Sequence, residues 1–524
     1  MNRLKPASQD QALFSLKMSS KALSITGATQ YSTRILACIP SLPMLVGVVA
    51  FVGILVFAQP FALLSDADTY WHLAAGRWII VHGSVPAVDP FSHSIPGAPW
   101  TTHEWLSEVL LATTFQLAGW PGLVITATLA FAVTLAYLTR FLLARMEPIH
   151  ALLLTALSVG MLAGHLLVRP HVLAWPLLAL WIGTLVNSVE ARRGPPWWLL
   201  GLMVLWANVH GSFTLGLALG AVLALDAVLL MPSSERVYVA RAWVTFTVLS
   251  AAAAMMTPAG WKGFWYTLHV MNLNLTLDVV GEWASPDFHH YQPLEVWLLF
   301  MLCIALVGRA RIPLLRLVLL VGLLHLALKH QRNVAVLGLI APFLVATSLA
   351  NVWYGEAPIG PDLNWLDRLF RALARPSGHL AASTMVMAIT AIIALAAHSE
   401  RYHPAPSITP ERAVQAAFDS GAQGRVLNGY NFGGYLIYRN IPVFVDGRSE
   451  MYGDAFMEKL LDALALKEHS NVAALLDNYR IGWTLLEPNT PAIALLDHMP
   501  GWRRVYADEI AVVHVHDSSN VAAQ

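Results

Sequence analysis

The chain has 524 residues, 56% of them hydrophobic and only 12% charged. A soluble domain carries roughly twice that charge, about 25%, so the composition excludes an ordinary soluble protein and fits a polytopic membrane protein. The formal net charge is zero, which gives no electrostatic case for a nucleic-acid partner, and Cys38 and Cys303 lie too far apart in sequence to suggest a disulfide framework or a cysteine metal site.

Residues 1–41 are polar and basic, too long and polar for a secretory signal, and are expected to be a cytoplasmic segment before a retained first span. A span needs roughly 20 mostly apolar residues, fewer where a helix is broken. Eleven runs are candidates: 42–64, 119–141, 149–168, 172–189, 196–209, 213–231, 241–256, 293–308, 312–328, 334–350 and 380–397. The fifth and sixth can form one broken hairpin around "WANVHGSF". Arginines in alternate short loops (Arg140 and Arg145, Arg192 and Arg193, Arg236 and Arg241, Arg309 and Arg311, Arg368, Arg371 and Arg375) fall on the side of the basic N-terminus. By the positive-inside rule that side is cytoplasmic. The opposite side then receives a long first loop, 65–118, a loop at 257–292, and the tail 399–524. In the tail, "PVFVDGR" and "IAVVHVH" read as strands and "DAFMEKLLDALALKEHS" as an amphipathic helix. The expected fold is an α-helical polytopic membrane domain of about eleven spans, 42–398, followed by a small extracytoplasmic α/β domain, 399–524.

"LLSDADTYWHLAAGRWI" places Asp66 and Asp68 where the first span ends. In an extended segment the two side chains point the same way and could share a metal or a cationic ligand. In a helix they diverge, and Asp68 would pair with His72 one turn on. Asp66 as a helix cap is the plain alternative. Trp71 and Trp78, seven apart, suit the anchoring face of an interfacial helix. "PWTTHEWLSEVLLATTFQLAG" makes a second helix, with His103, Glu104 and Glu108 near its start. Ionisable groups gathered at an apolar boundary are costly and point to function.

An acidic pair directly after a retained first span, followed by a loop of two amphipathic helices, resembles the GT-C superfamily of membrane glycosyltransferases. That superfamily includes oligosaccharyltransferase, the protein mannosyltransferases and the lipid A aminoarabinose transferases. The longer stretch "DADTYWHLAAGRWIIVHGSVPAVDPFSHSIPGAPWTTHEWL" and the tail motif "GGYLIYRNIPVFVDGRSEMYG" are similar to a group of bacterial GT-C-like membrane proteins. The resemblance implies a GT-C fold in the bacterial inner membrane. It implies that Asp66 or Asp68 is the catalytic carboxylate, deprotonating or orienting the acceptor or binding a divalent cation (Mg or Mn), with Asp66 favoured as the nearer to the membrane exit. The chain lacks the adjacent Asp-Glu pair of the mannosyltransferases and the "WWDYG" signature of oligosaccharyltransferases. Those departures leave the acceptor open and point away from protein N-glycosylation.

Further polar groups fall on the same outer side. "HLLVRPHVLAW" brings Arg169, able to pair bidentately with a phosphate, and His171, or forms only a connecting loop with a snorkelling arginine. "WANVHGSF" puts Asn208 and His210 at a helix break, where a lone histidine is commonly structural. "GEWASPDF" offers Glu282 as a further acidic group and Trp283 for stacking on a sugar, unless the loop merely caps the bundle. "LALKHQRNVAV" gathers Lys329, His330, Arg332 and Asn333 where few cations are expected, as a phosphate clamp would, with binding of acidic lipids as the alternative. In the tail, Asn428, Asn431, Asp446 and Arg448 stand near a Gly-Gly pair that could bind an anion at a helix start. No Walker-type or dinucleotide-binding glycine motif is present. The expected function is therefore transfer of a sugar from a polyprenyl-phosphate-linked donor to an envelope glycan, lipid or protein acceptor, with membrane lipids around the protein. The alternatives are a transporter of lipid-linked glycans, which would place charges at mid-membrane, and a non-catalytic partner in polysaccharide assembly.

Overall fold

The computed structural model describes residues 40–270, 284–307, 310–354, 369–370, 372–468 and 471–517. Helix α1, Leu42–Phe57, is apolar on all sides, the pattern of a helix surrounded by protein or lipid. After a short irregular stretch, α2 covers Asp68–His82 and ends at Gly83, whose left-handed backbone (φ 62°) lets its N–H reach the Ile79 carbonyl. Helix α3, Trp105–Leu143, is broken at Ala118 and Gly119; Gly119 takes φ 57°, which glycine tolerates best, and Pro121 opens the next stretch. The two helices expected on either side of this point are thus one kinked element.

The remaining bundle helices are α4 (Pro148–Ala163), α5 (Pro170–Glu190), α6 (Leu199–Val209), α7 (Phe213–Leu229), α8 (Arg236–Ala254), α9 (Trp261–Val270), α10 (Pro293–Val307), α11 (Leu314–Lys329), α12 (Asn333–Tyr354) and α13 (His379–Ala397). Each of the eleven apolar runs has become a helix, and α9 is additional. Among the described residues, five helices are both long and apolar enough to cross a bilayer. The others among the eleven runs have 11 to 17 residues. The architecture is that of an integral membrane protein. At the end of the bundle away from α2, buried Arg316 pairs with Glu190 at 2.8 Å and with Asp226 at 3.0 Å, and Arg145 meets Glu190 at 2.6 Å. Asp226, the acidic exception inside an apolar run, thus belongs to an ion network joining α5, α7 and α11.

The C-terminal unit holds a four-stranded sheet of β1 (Arg425–Asn428), β2 (Ile481–Leu486), β3 (Trp502–Ala507) and β4 (Val512–His516) in the order β1-β2-β4-β3. Only β1 and β2 are parallel. Helices α14 (Glu411–Asp419), α15 (Gly433–Tyr438), α16 (Ser449–Tyr452), α17 (Asp454–Leu464), α18 (Val472–Tyr479) and α19 (Ala492–Leu496) surround it. The strand expected at "IAVVHVH" and the helix expected at "DAFMEKLLDALALKEHS" are both present. "PVFVDGR" is not a strand. It forms one bridge, Val443 to Ser92, and the backbone groups of Phe444 and Val445 go to side chains. The Asn428 amide accepts from Phe444 N–H and donates to the Val445 carbonyl, while Ser94 donates to the Phe444 carbonyl.

One apolar core contains Tyr70, Trp71, Ala75 and Trp100 of the first loop together with Phe432, Leu436, Val443 and Trp483 of the tail. Trp71 is therefore an interior residue packed on Trp100, and not a surface anchor as its spacing from Trp78 suggested. A buried ion cluster joins the same two segments. Arg448 reaches Asp446 at 2.7 Å and Asp89 at 2.7 Å, with its guanidinium 4.6 Å from the Trp100 ring centre. The Gly-Gly pair is a packing device: a Cβ on Gly433 would meet the Val445 carbonyl, and one on Gly434 the Ala67 carbonyl.

Candidate active site

The mouth of the first helix is organised around Arg169. Its Nη1 donates to Asp66 Oδ2 at 3.1 Å and its Nη2 to Asp68 Oδ2 at 2.7 Å. Asp66 and Asp68 converge because Asp66 precedes α2 while Asp68 opens it. Asp66 Oδ1 also accepts the Asp68 N–H at 2.8 Å, so one carboxylate both starts the helix and holds the arginine. Arg169 is delivered by backbone strapping. Val168 N–H donates to the Leu63 carbonyl, and Thr69 donates to the Val168 carbonyl. The side chains of Asp66, Asp68 and Arg169 are 14%, 15% and 20% exposed, shielded yet reachable. The expected Asp68–His72 pairing does not form, because Asp68 faces Arg169 and His72 faces α3.

Behind this triad lies a second cluster. Gly76 lets α2 touch α3, since a Cβ there would strike the Glu108 carbonyl oxygen. That crossing sets His72 3.6 Å from Glu108 and 4.0 Å from Glu104. Glu104 also meets His103 at 3.5 Å and His210 at 3.2 Å. The α6–α7 break is docked there by Trp105 N–H donating to Asn208 at 2.7 Å and by Ser107 donating to the Val209 carbonyl at 2.6 Å. Tyr266 on α9 stacks near His103 and donates to Glu450 of the C-terminal unit at 2.7 Å.

Burial pulls the His103 imidazole down, but the Glu104 carboxylate, with help from Glu450, outweighs it and raises His103 to about 9. Burial works to raise Glu104, but His210, His103 and His72 together hold it well below the usual carboxylate range. Burial pushes His72 down to about 3 and His210 down to about 4, against the pull of Glu104. At neutral pH the cluster is a His103 cation on a Glu104 anion, flanked by two neutral imidazoles.

The other expected site residues divide. Arg332 and Arg169 both act electrostatically on His210, so the cations of two connections converge on one side chain. Lys329 is exposed at the end of α11, and His330 opens the following turn. The Asn333 amide donates to the Leu326 carbonyl and closes that turn. His171 lies beside His210, with its Nε2 on the His165 carbonyl at 2.9 Å. His72 is 1% exposed, enclosed between Glu104 and Glu108. Glu282 and Trp283 lie outside the described residues. Glu450, Tyr266 and Gly447 were not singled out from sequence. A Cβ on Gly447 would strike Asp68 Oδ1, so this glycine admits the carboxylate beneath the C-terminal unit. The tail motif carries Gly447 and Glu450, the one signal that could have found them.

The residues present do not fit a resident divalent cation at Asp66 and Asp68. The guanidinium already bridges the two carboxylates, and among the described residues no group of three or more His, Cys, Asp or Glu side chains is placed to hold a metal.

The chain shares the architecture of solved membrane proteins. It matches Archaeoglobus fulgidus oligosaccharyltransferase in its apo form with a TM-score of 0.53 and 10% identity, over 84% of this chain and 69% of that one. It matches AglB, the archaeal oligosaccharyltransferase of Archaeoglobus fulgidus in complex with an inhibitory peptide and a dolichol-phosphate, with a TM-score of 0.52 and 9% identity, over 85% and 69%. ArnT from Cupriavidus metallidurans bound to undecaprenyl phosphate matches with a TM-score of 0.50 and 12% identity, over 90% and 98%. Neither a family model nor a curated protein matches the sequence. The class defined by fold and site is an integral membrane protein of GT-C architecture with a carboxylate pair at the start of α2.

Proposed function

We propose that this chain is a membrane glycosyltransferase that moves a sugar from a polyprenyl-phosphate-linked donor to an envelope glycan, lipid or protein acceptor. The reaction takes place on the outer face of a bacterial inner membrane, where the first loop and the tail lie. The observation that carries the reading is the Asp66–Arg169–Asp68 bridge at the start of α2. It occurs in a fold shared with one structure holding dolichol-phosphate and another holding undecaprenyl phosphate.

In this reading an arriving phosphate competes for Arg169 and releases a carboxylate toward the acceptor. The acceptor oxygen attacks the anomeric carbon, and its proton passes to Asp66 or Asp68. The bond between that carbon and the phosphate oxygen breaks, and polyprenyl phosphate leaves with the electron pair. Arg169, with Lys329, His330 and Arg332, balances the charge left on the phosphate. A single displacement inverts the anomeric configuration. The pair His103–Glu104 with Tyr266–Glu450 holds the site in shape, and no step requires a metal.

The test is a gene deletion complemented with wild type, Asp66→Asn or Asp68→Asn at matched membrane levels, with lipid-linked sugars and surface glycans profiled by mass spectrometry. Transfer predicts donor accumulation and a missing sugar that wild type restores and at least one variant does not. Full rescue by both variants would remove the carboxylate mechanism and favour a role in assembly or transport.

A further inference from the structure

A cleft with a volume of about 610 Å³ opens on the other side of α2. Its walls are α2, the start of α3 after the kink, the proline-rich connector 403–410, α14, α15 and the turn between β3 and β4. That volume falls within the roughly 300–1,000 Å³ typical of small-molecule sites.

Its base is aromatic and held in place. Tyr70 lies 5.5 Å from Trp120, 5.4 Å from Tyr435 and 5.3 Å from Tyr438, centre to centre. The Tyr70 hydroxyl is hydrogen-bonded to Thr409 at 2.8 Å, Arg439 donates to the Tyr435 hydroxyl at 2.7 Å, and the Arg77 guanidinium sits 4.3 Å from the Tyr438 ring centre. Pro404, Pro406 and Pro410 stiffen the connector beside them. The rim carries Glu411, Arg412, Arg439 and Asp508, all exposed, two acids and two bases. The rim charges balance, with Arg77 behind the Tyr438 ring as a further cation, and a phosphate at the rim would meet two carboxylates. Planar carboxylates and guanidinium groups around an aromatic base instead suit a neutral polyhydroxylated ligand. Glu411 can accept from hydroxyls, Arg412 can donate to them, and the partly exposed Trp120 and Tyr438 rings can cover apolar C–H faces, with the enclosed Tyr70 and Tyr435 bracing them from behind.

The position is as telling as the lining. Asp68 and Tyr70 are two residues apart on one helix, so they project about 200° apart around its axis. The carboxylate bridge and the cleft therefore lie on opposite sides of α2, separated by about one helix width, roughly 10 Å. We propose that this cleft, lined by Tyr70, Trp120, Tyr438, Glu411, Arg412 and Asp508, binds a neutral oligosaccharide segment of an acceptor glycan. The inference rests on the transferase reading only in making the oligosaccharide an acceptor; the binding site stands without it.

The experiment is saturation-transfer NMR on the full-length protein in lipid nanodiscs, free of sugar-headed detergent. The probes are maltotetraose, mannotetraose and chitotetraose, with phosphocholine and inorganic phosphate as competitors. At least one tetrasaccharide should receive saturation. Its affinity should fall at least tenfold in Tyr438→Ala and in the double variant Glu411→Gln/Arg412→Gln, two exposed side chains at the start of α14, and should be unchanged in Asp68→Asn. No signal from any tetrasaccharide, an unchanged signal in the double variant, or displacement by phosphocholine or phosphate would overturn the proposal. A protein that binds the sugar while both Asp66→Asn and Asp68→Asn rescue the deletion would sink the transfer mechanism and leave the cleft standing.

Discussion

A single guanidinium spanning Asp66 and Asp68 makes Arg169 the residue whose replacement tells most. Lysine keeps the charge but offers a compact point charge in place of a planar fork. Arg169→Lys is expected to lower transfer by about tenfold or more, with membrane levels unchanged, measured as product formed in isolated membranes. A variant with wild-type turnover would show that the bridge is dispensable. Asp66 has a second task at the start of α2. Asn retains an acceptor for the Asp68 N–H and Ala does not, so Asp66→Ala should cost about 1 kcal/mol of stability more than Asp66→Asn, read as the difference in thermal unfolding. For His103 the folded value, about 9, stands above the ordinary imidazole value. Its stabilising contribution is thus fully present below pH 6.5 and is lost as pH rises through 9. Glu104 is depressed, so its contribution is present above the ordinary carboxylate value and disappears only in strong acid. The unfolding temperature of wild type minus that of His103→Gln should therefore shrink as pH approaches 9 from neutrality. A difference that is flat over that interval would contradict the pairing.

Elements meet here through glycines that admit another backbone or a carboxylate. Gly76→Ala would press a Cβ into the Glu108 carbonyl, a backbone atom that cannot swing aside. The expected cost is about 1–3 kcal/mol, with loss of transfer, because the same crossing positions His72 against Glu104 and Glu108. Retention of both stability and activity would show that α2 can shift without consequence. The apolar runs were legible as helices because a run of nonpolar side chains acts locally, and each became one. "PVFVDGR" was misleading as a strand because its alternation comes from burial between two segments. Its hydrogen-bond partners are the backbone of Phe91 and His93 and the side chains of Asn428 and Ser94, which no local pattern shows.

At the scale of the whole molecule, the first loop and the tail behave as one body on the bundle. Arg448, Asp446 and Asp89 are all fully enclosed, and Tyr452 donates to Asp446 at 2.7 Å. Replacing one partner of such a cluster leaves buried charge uncompensated. Arg448→Met is expected to destabilise the protein by about 3–5 kcal/mol and to open the first loop to protease together with the tail. Cleavage confined to the tail would mean that the two segments do not unfold as one unit. Glu450, delivered to Tyr266 by the same docking, makes the site depend on the tail being seated.

The sequence by itself determined where the apolar helices lie, where the carboxylate pair falls relative to the first of them, and that His103 and Glu104 begin the next. Those are properties of neighbouring residues: hydropathy, helix-breaking glycine and proline, and charge at an apolar boundary. Tertiary structure alone decided that Arg169, 101 residues from Asp68, closes the pair and that His210 completes the Glu104 cluster. It alone placed Gly447 and Glu450 over the site and joined Asp89 to Arg448 across 359 residues. Such partners are chosen by how helices cross and which surfaces bury together, and a linear pattern carries no record of either.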